Sequence, residues 1–257
     1  LKQFDMINAL NLPHGGMVMI DENHFIEINN KIKDYEKSYS AGGSAANTIY
    51  GLAKLGVETS FIGKVGNDEI GKIYENDMIS SGVKPCLIKT DTPSGCAIVF
   101  VTEDSERTFA SYLGAAQEMK PENITEDIFF GYDILHVEGY LLFNYDLVEA
   151  AMKMAKKLCM KVSLDLAAHN FVICFANGEE AKALTGLEPR QALDFIADYS
   201  EYAVVKLGAS GSLIKHSGNV YEIPTDKVKC VDTTGAGDLY ASGVLYGISN
   251  GFAPDVC

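Results

Sequence analysis

No stretch of the 257 residues stays apolar for the ~20 positions that a membrane-spanning helix needs; the best runs are short, such as Cys96 to Val101. The opening residues, LKQFDMINAL, lack the basic region and long apolar stretch of a signal peptide. Cysteine pairing is missing as well. Cys86, Cys96, Cys159, Cys174, Cys230 and Cys257 include no CxxC pair, and the five histidines show no metal-like spacing. Most of these cysteines lie in or beside apolar segments, where a reduced thiol acts as a small hydrophobe, so a cytoplasmic setting is expected. Basic clusters are absent: a net charge of −14, from 21 Lys and Arg against 35 Asp and Glu, excludes nucleic acid as a partner. It does not exclude an anionic nucleotide, which backbone amides and one metal ion can hold. Neither repeats nor low-complexity segments occur.

What is present is an ordinary globular composition, 47% hydrophobic, enough to bury one sizeable core. Strand-like and helix-like runs alternate. Ala45, Ile49, Leu52 and Ala53 recur at helical spacing before Gly56; FIGKV reads as a strand; a helix begins near Asp68. YDLVEAAMKMAKKLC is amphipathic and leads into the strand KVSLDLA. ICFAN, a helix near Glu179, AVVKLG and a helix from about Ala236 complete the series. Such alternation predicts an α/β fold, a mostly parallel sheet with helices on both faces, in one main domain covering 1–257. Between 86 and 113, CAIVFVTE, DSE and RTFASYL read as an antiparallel hairpin instead. With 17–21 and 35–41 this predicts a small β lid, an edge extension of the main sheet being the alternative.

The stretch VDTTGAGDLYASGVLYG carries the most chemistry. The first turn of a helix has unpaired N–H groups and the positive dipole end, and Gly235 and Gly237 let a phosphate approach those amides closely. Asp238 follows at once. A carboxylate beside an anion site makes sense where it faces an acceptor hydroxyl, which is the arrangement that phosphoryl transfer requires. The bland alternative is a capped helix start and nothing more.

Upstream, AGGSAANTIYGLAKLG joins a glycine pair and small residues to Asn47 and an amphipathic helix, and FIGKVGNDEIG follows. Together with DTTGAGD, in this order and at opposite ends of the chain, these segments resemble the two signature regions of the ribokinase-like (PfkB) carbohydrate kinase family, closest in wording to its adenosine kinase-like branch. The resemblance covers nearly the whole chain. It implies a three-layer α/β/α domain with a small β lid, and ATP-dependent phosphorylation of a hydroxymethyl group on a sugar or nucleoside with Mg²⁺. It further implies Asp238 as base and Gly235, Ala236 and Gly237 as anion hole. Gly42, Gly43 and Asn47 match positions holding the acceptor hydroxyls, and Arg107 is assigned to the acceptor or the phosphates from the lid. Lys206, Gly208 and Gly211 match the strand and turn near the nucleotide. Asn177 and Glu180 match an Asn-x-x-Glu element that places Mg²⁺ through water, and Asp232 and Thr234 match positions that bind a monovalent cation, K⁺, in some members. Taken singly, Asn177 and Glu180 read rather as a strand end and a helix-dipole partner and Lys206 as a solvated strand end, while Asn47 reads equally as a cap.

The chain departs from the family pattern in three places. MINAL runs straight into NLPHGG without the acid that grips substrate hydroxyls; too few residues separate KVSLDLA from ICFAN for a crossover; and little follows the last helix. These deficits lead to the expectation of missing residues after Leu10, near Asn170 and beyond Cys257. Other motifs fail on inspection: GNDEIGK lacks the Ser or Thr of a P-loop, Tyr240 replaces the third glycine of a dinucleotide fingerprint, and no GxSxG occurs. Two functions stay open, a competent kinase and a non-catalytic nucleotide or sugar sensor on the same fold. The unpaired edges of an antiparallel lid would suit a homodimer.

Overall fold

The computed structural model describes residues 3–102, 107–139, 141, 144–165, 171–228, 233 and 235–257, with the backbone alone at 3–5, 171 and 172. The elements in chain order begin with α1 (Gln3–Ala9), β1 (Met17–Met19), α2 (Glu22–Lys31), α3 (Ser44–Lys54), β2 (Thr59–Gly66) and α4 (Glu69–Ser80). They continue with β3 (Val83–Thr90), β4 (Cys96–Val101), β5 (Arg107–Tyr112), β6 (Ile134–Glu138), α5 (Tyr145–Lys157) and β7 (Lys161–Asp165). The last are β8 (Phe171–Asn177), α6 (Gly178–Thr185), α7 (Pro189–Ala197), β9 (Ser200–Lys206), β10 (Ser212–His216), β11 (Asn219–Ile223) and α8 (Ala236–Ser249). The alternating elements read from the sequence all form.

The chain divides into two compact units. The first comprises the stretch up to Ala41, Ile62–Ile79 and Pro85–Met119. Its three-stranded sheet has the order β1-β5-β4. β4 and β5 form the expected antiparallel pair, Cys96 opposite Tyr112 and Val101 opposite Arg107. β1 corrects the expectation, because it joins β5 in parallel, Met17 opposite Phe109. The segment 35–41 contains no strand; its only large apolar side chains, Tyr35 and Tyr39, stay exposed, so no buried face pulls it into a sheet. Ile7 from α1 and Leu10 just after it, Ile28 from α2, and Phe100, Ala110 and Tyr112 from the strands close the core of this unit. Beyond α1 the chain turns back, the Leu12 amide donating to the Ile7 carbonyl at 3.0 Å.

The second unit comprises Gly42–Phe61, Ser80–Lys84 and the chain from Lys120 onward. Its six-stranded sheet has the order β11-β10-β9-β8-β7-β6. β6 to β9 are parallel, and β10 and β11 add an antiparallel edge. The short connection between β7 and β8 lies outside the described residues. Side-chain alternation sends Ile173, Phe175, Val204 and Ile214 to one face, under α3 and α8, and Cys174, Ala176, Ala203 and Val205 to the other, under α6 and α7. Val137 and Leu164 face α5, whose Val148 covers them. The result is the three-layer α/β/α arrangement of the ribokinase-like fold.

A candidate active site at the carboxyl ends of the parallel strands

On the face covered by α3 and α8, the strands change character towards their carboxyl ends. Across β6 and β7, His136 stands opposite Ser163 and Glu138 opposite Asp165. Across β8 and β9, Asn177 stands opposite Lys206. Period-two alternation puts these polar residues on the same face as the apolar ones that precede them, at the end of a parallel sheet where ligands of open α/β folds bind.

Two helix N-termini converge here. α3 starts at Gly43, whose φ of 105° is a left-handed conformation that favours glycine. α8 starts at Gly235, also left-handed with φ 73°. Asp238, in the first turn of α8, is fixed by the first turn of α3. Ser44 Oγ donates to Asp238 Oδ1 at 2.9 Å, and Asn47 Nδ2 donates to Oδ2 at 2.9 Å. The backbones are locked as well: Thr48 Oγ1 donates to the Asp238 carbonyl at 3.3 Å, and Ser242 Oγ donates to the Thr48 carbonyl at 2.8 Å. Gly51 makes this approach possible, since a Cβ there would lie 2.3 Å from Ser242 Oγ.

Gly235, Ala236 and Gly237, the residues expected to form an anion hole, stand at the start of α8. The Ala236 amide donates to the Thr233 carbonyl at 3.1 Å and is already engaged. Gly237 lies in the first helical turn, and a Cβ on it would lie 3.2 Å from Lys206 Nζ, so the ammonium packs directly against this glycine. Lys206 is mostly buried and faces Asp165 Oδ1 at 3.5 Å. Burial pushes the Asp165 carboxyl up, with Lys206 opposing and Glu180 and Asp238 adding repulsion. Burial also raises Glu138, against a hydrogen bond from the Ala45 backbone. His136 is pulled down to about 4, chiefly by burial; its Nδ1 meets Ser163 Oγ at 3.0 Å, and Nε2 has no hydrogen-bond partner among the described residues. The ring is therefore neutral near pH 7.

Asn177 and Glu180 form a reciprocal capping box on α6. Asn177 Oδ1 accepts from the Glu180 amide at 2.9 Å, and Glu180 Oε2 accepts from the Asn177 amide at 2.7 Å. Next to them opens a pocket of about 560 Å³, lined by Asn177, Gly178, Glu179, Lys206, Gly208 and Ser210 among others. Gly208 and Gly211 shape the β9–β10 turn with φ of 58° and 88°. Gly211 also needs the space, since a Cβ would meet the Ile223 carbonyl oxygen at 2.0 Å. Gly42 and Gly43 precede α3 with nothing within 4 Å of a hypothetical Cβ. Arg107 opens β5 in the first unit. Asp232 and Thr234 lie outside the described residues.

Four residues escaped the motif reading: Ser44, Glu138, Asp165 and His136. Ser44 sat unremarked inside a quoted motif. The others carry a period-two signal, His136 with Glu138 and Ser163 with Asp165, but only strand pairing aligns the two pairs.

Comparison with known proteins bears on this arrangement. A model described as pfkB family carbohydrate kinase matches residues 12–254. A protein of Archaeoglobus fulgidus named as an uncharacterized sugar kinase is 30% identical over 224 residues, covering 80% of this chain and 89% of the relative. The 5-dehydro-2-deoxygluconokinase of Bacillus licheniformis is 28% identical, covering 97% and 85%. That alignment runs over 285 positions, more than the 257 residues here, so the relative carries segments this chain lacks. The solved structure of adenosine kinase from Sinorhizobium meliloti superposes with a TM-score of 0.86 at 28% identity, covering 98% of this chain and 84% of the other.

Proposed function

Because the chain belongs to the pfkB family of carbohydrate kinases, we propose that it transfers the terminal phosphoryl group of ATP to a hydroxymethyl group of a sugar or nucleoside, with Asp238 as base. The acceptor hydroxyl gives its proton to Asp238, its oxygen forms the new bond to phosphorus, and the bond to the bridging oxygen breaks to leave ADP. Asp238 suits this task because Ser44 and Asn47 hold it at 2.9 Å each. Each carboxylate oxygen has a second lone pair for the incoming proton. The amides of Gly235 and Gly237 at the α8 N-terminus supply fixed dipoles for the phosphoryl charge; that of Ala236 joins them only if its bond to Thr233 opens. Glu138 and Asn47 flank the base and suit an acceptor with several hydroxyls. Relatives named 5-dehydro-2-deoxygluconokinase and adenosine kinase support that class. The pocket beside Lys206, Gly208 and Ser210 suits the nucleotide.

Oxygen donors fit Mg²⁺ here: Glu180 spends one carboxylate oxygen on the cap, and the mostly buried Asp165 carboxylate stands beside Lys206. Mg²⁺ keeps most of its waters and takes few protein ligands, so Glu180 and Asn177 would hold it through water. Bound there, it would neutralise phosphate charge.

The observation that carries the proposal is the doubly hydrogen-bonded Asp238 at a glycine-flanked helix N-terminus. Replacing Asp238 by Asn should abolish ATP-dependent phosphorylation of the acceptor while leaving binding of ATP and acceptor within about twofold. Unchanged turnover would rule out this mechanism.

A further inference from the structure

The surroundings of the proposed base carry one sign of charge. Glu138, at the end of β6, stands opposite Asp165, at the end of β7. The charges that act on Glu138 are those of Asp238 and Asp165, both negative. His136 lies one pleat deeper on the same face of β6 and adds no positive charge. Its ring stays neutral, and its buried Nε2 has no hydrogen-bond partner among the described residues.

The positive features nearby are already committed. Lys206 is hydrogen-bonded to the Asp165 carboxylate, with Nζ 3.5 Å from Oδ1. The N-terminus of α3 has the positive end of a helix dipole, a natural place for an acceptor's own carboxylate. Here the protein's acids occupy it. The Ala45 amide donates to Glu138, and Ser44 Oγ and Asn47 Nδ2 donate to Asp238. The Asn47 amide is taken by the Gly43 carbonyl at 2.9 Å. The start of α8 serves the phosphoryl group.

Ionised carboxylates only accept hydrogen bonds. Glu138 and Asp238 therefore suit a molecule that brings O–H donors and no negative charge. A carboxylate or phosphate on the acceptor would enter this field without a counter-ion, and a buried unpaired charge is costly. We propose that the acceptor is an uncharged polyhydroxy compound, and that Glu138 is the specificity-determining residue that excludes sugar acids and sugar phosphates. This rests on the kinase reading above. Glu138 discriminates in two ways, by accepting from acceptor hydroxyls and by repelling a second anion.

The test is ADP release from MgATP by the whole protein with six acceptors: uncharged ribose, fructose and adenosine, and anionic ribonate, gluconate and fructose 6-phosphate. At least one uncharged acceptor should exceed every anion in kcat/KM by about 100-fold, the effect of one like-charge contact in a partly buried site. Glu138→Gln keeps the size and an oxygen for the Ala45 amide, and should narrow that preference about tenfold by removing the charge. Glu138→Asp keeps the charge and should keep the preference, even where overall turnover falls. Asp165→Asn removes a charge from the neighbouring strand and should narrow the preference in the same direction, even if Glu138→Gln fails to fold. An anion used as well as the uncharged acceptors by the wild-type protein overturns this proposal and leaves the kinase reading standing. So does an unchanged preference in both Glu138→Gln and Asp165→Asn. ADP release with none of the six overturns the kinase reading itself.

Discussion

Asp238 owes its orientation to two side chains, Ser44 and Asn47, that precede it by 194 and 191 positions. Removing one donor leaves the carboxylate free to rotate. Ser44→Ala should therefore lower kcat about tenfold, the equivalent of one ordinary hydrogen bond of about 1.4 kcal/mol, with nucleotide affinity unchanged in steady-state and binding assays. His136 makes a different prediction. Its folded pKa of about 4 lies below the ordinary 6.5, so the unfolded chain takes up the proton first as pH falls. The stability that neutral His136 allows is present above pH 6.5 and is lost progressively down to about pH 4. The full loss is about 3 kcal/mol, with about 2 kcal/mol gone by pH 5. His136→Gln cannot titrate, so urea midpoints at pH 7.5 and 5 should differ less in the variant than in the parent protein. The raised carboxyls of Asp165 and Glu138 act in both proteins alike. A parallel decline would sink this account of His136.

At the scale of elements, α8, which carries the proposed base, is only as well placed as its packing on α3. Gly51 is the closest point, with Ser242 occupying the space of its missing Cβ. Gly51→Ala gains helix propensity but overpacks the contact, and should destabilise by about 1–3 kcal/mol. Turnover should fall with it, because Asp238 shares that helix; Ser242→Gly in the same chain should recover part of both, which a double-mutant cycle by denaturation would measure. The capping box of α6 is worth about 1 kcal/mol, so Asn177→Ala should cost that much stability even without nucleotide or metal. Elements with strong local periodicity were legible beforehand. α5 is the clearest case: Asn144 caps it, Lys156 and Lys157 close it, and Leu147, Val148 and Ala155 form its buried stripe. The short β1, Met17–Met19, was legible as a strand but not in its direction, since parallel and antiparallel edges ask for the same alternation.

For the whole molecule, acceptor identity is the open quantity, and ligand binding gives a direct readout. A true acceptor at 100 times its Kd stabilises the folded state by about 2.7 kcal/mol, which raises the melting temperature by several degrees in a chain this long. With β,γ-imido-ATP present, ribosides and ketose sugars should produce such shifts. A flat response across both classes would remove them as acceptors. Two compact units make it necessary to follow unfolding with more than one probe, since two-state behaviour fails where units unfold separately.

By itself the sequence determined the order of strands and helices, the glycines at the two helix starts and the catalytic candidate Asp238. These depend on local periodicity and on backbone conformations that a few neighbouring residues set. Only the tertiary structure decided that Glu138 faces Asp165, that Lys206 presses on Gly237, and that the Ala236 amide is taken by Thr233. The first two require the register of parallel strands far apart in the chain and the docking of α8 across them. The third depends on how a single turn closes. Spacing along a sequence encodes none of these distances, because each arises only when separate segments compete for the same buried face.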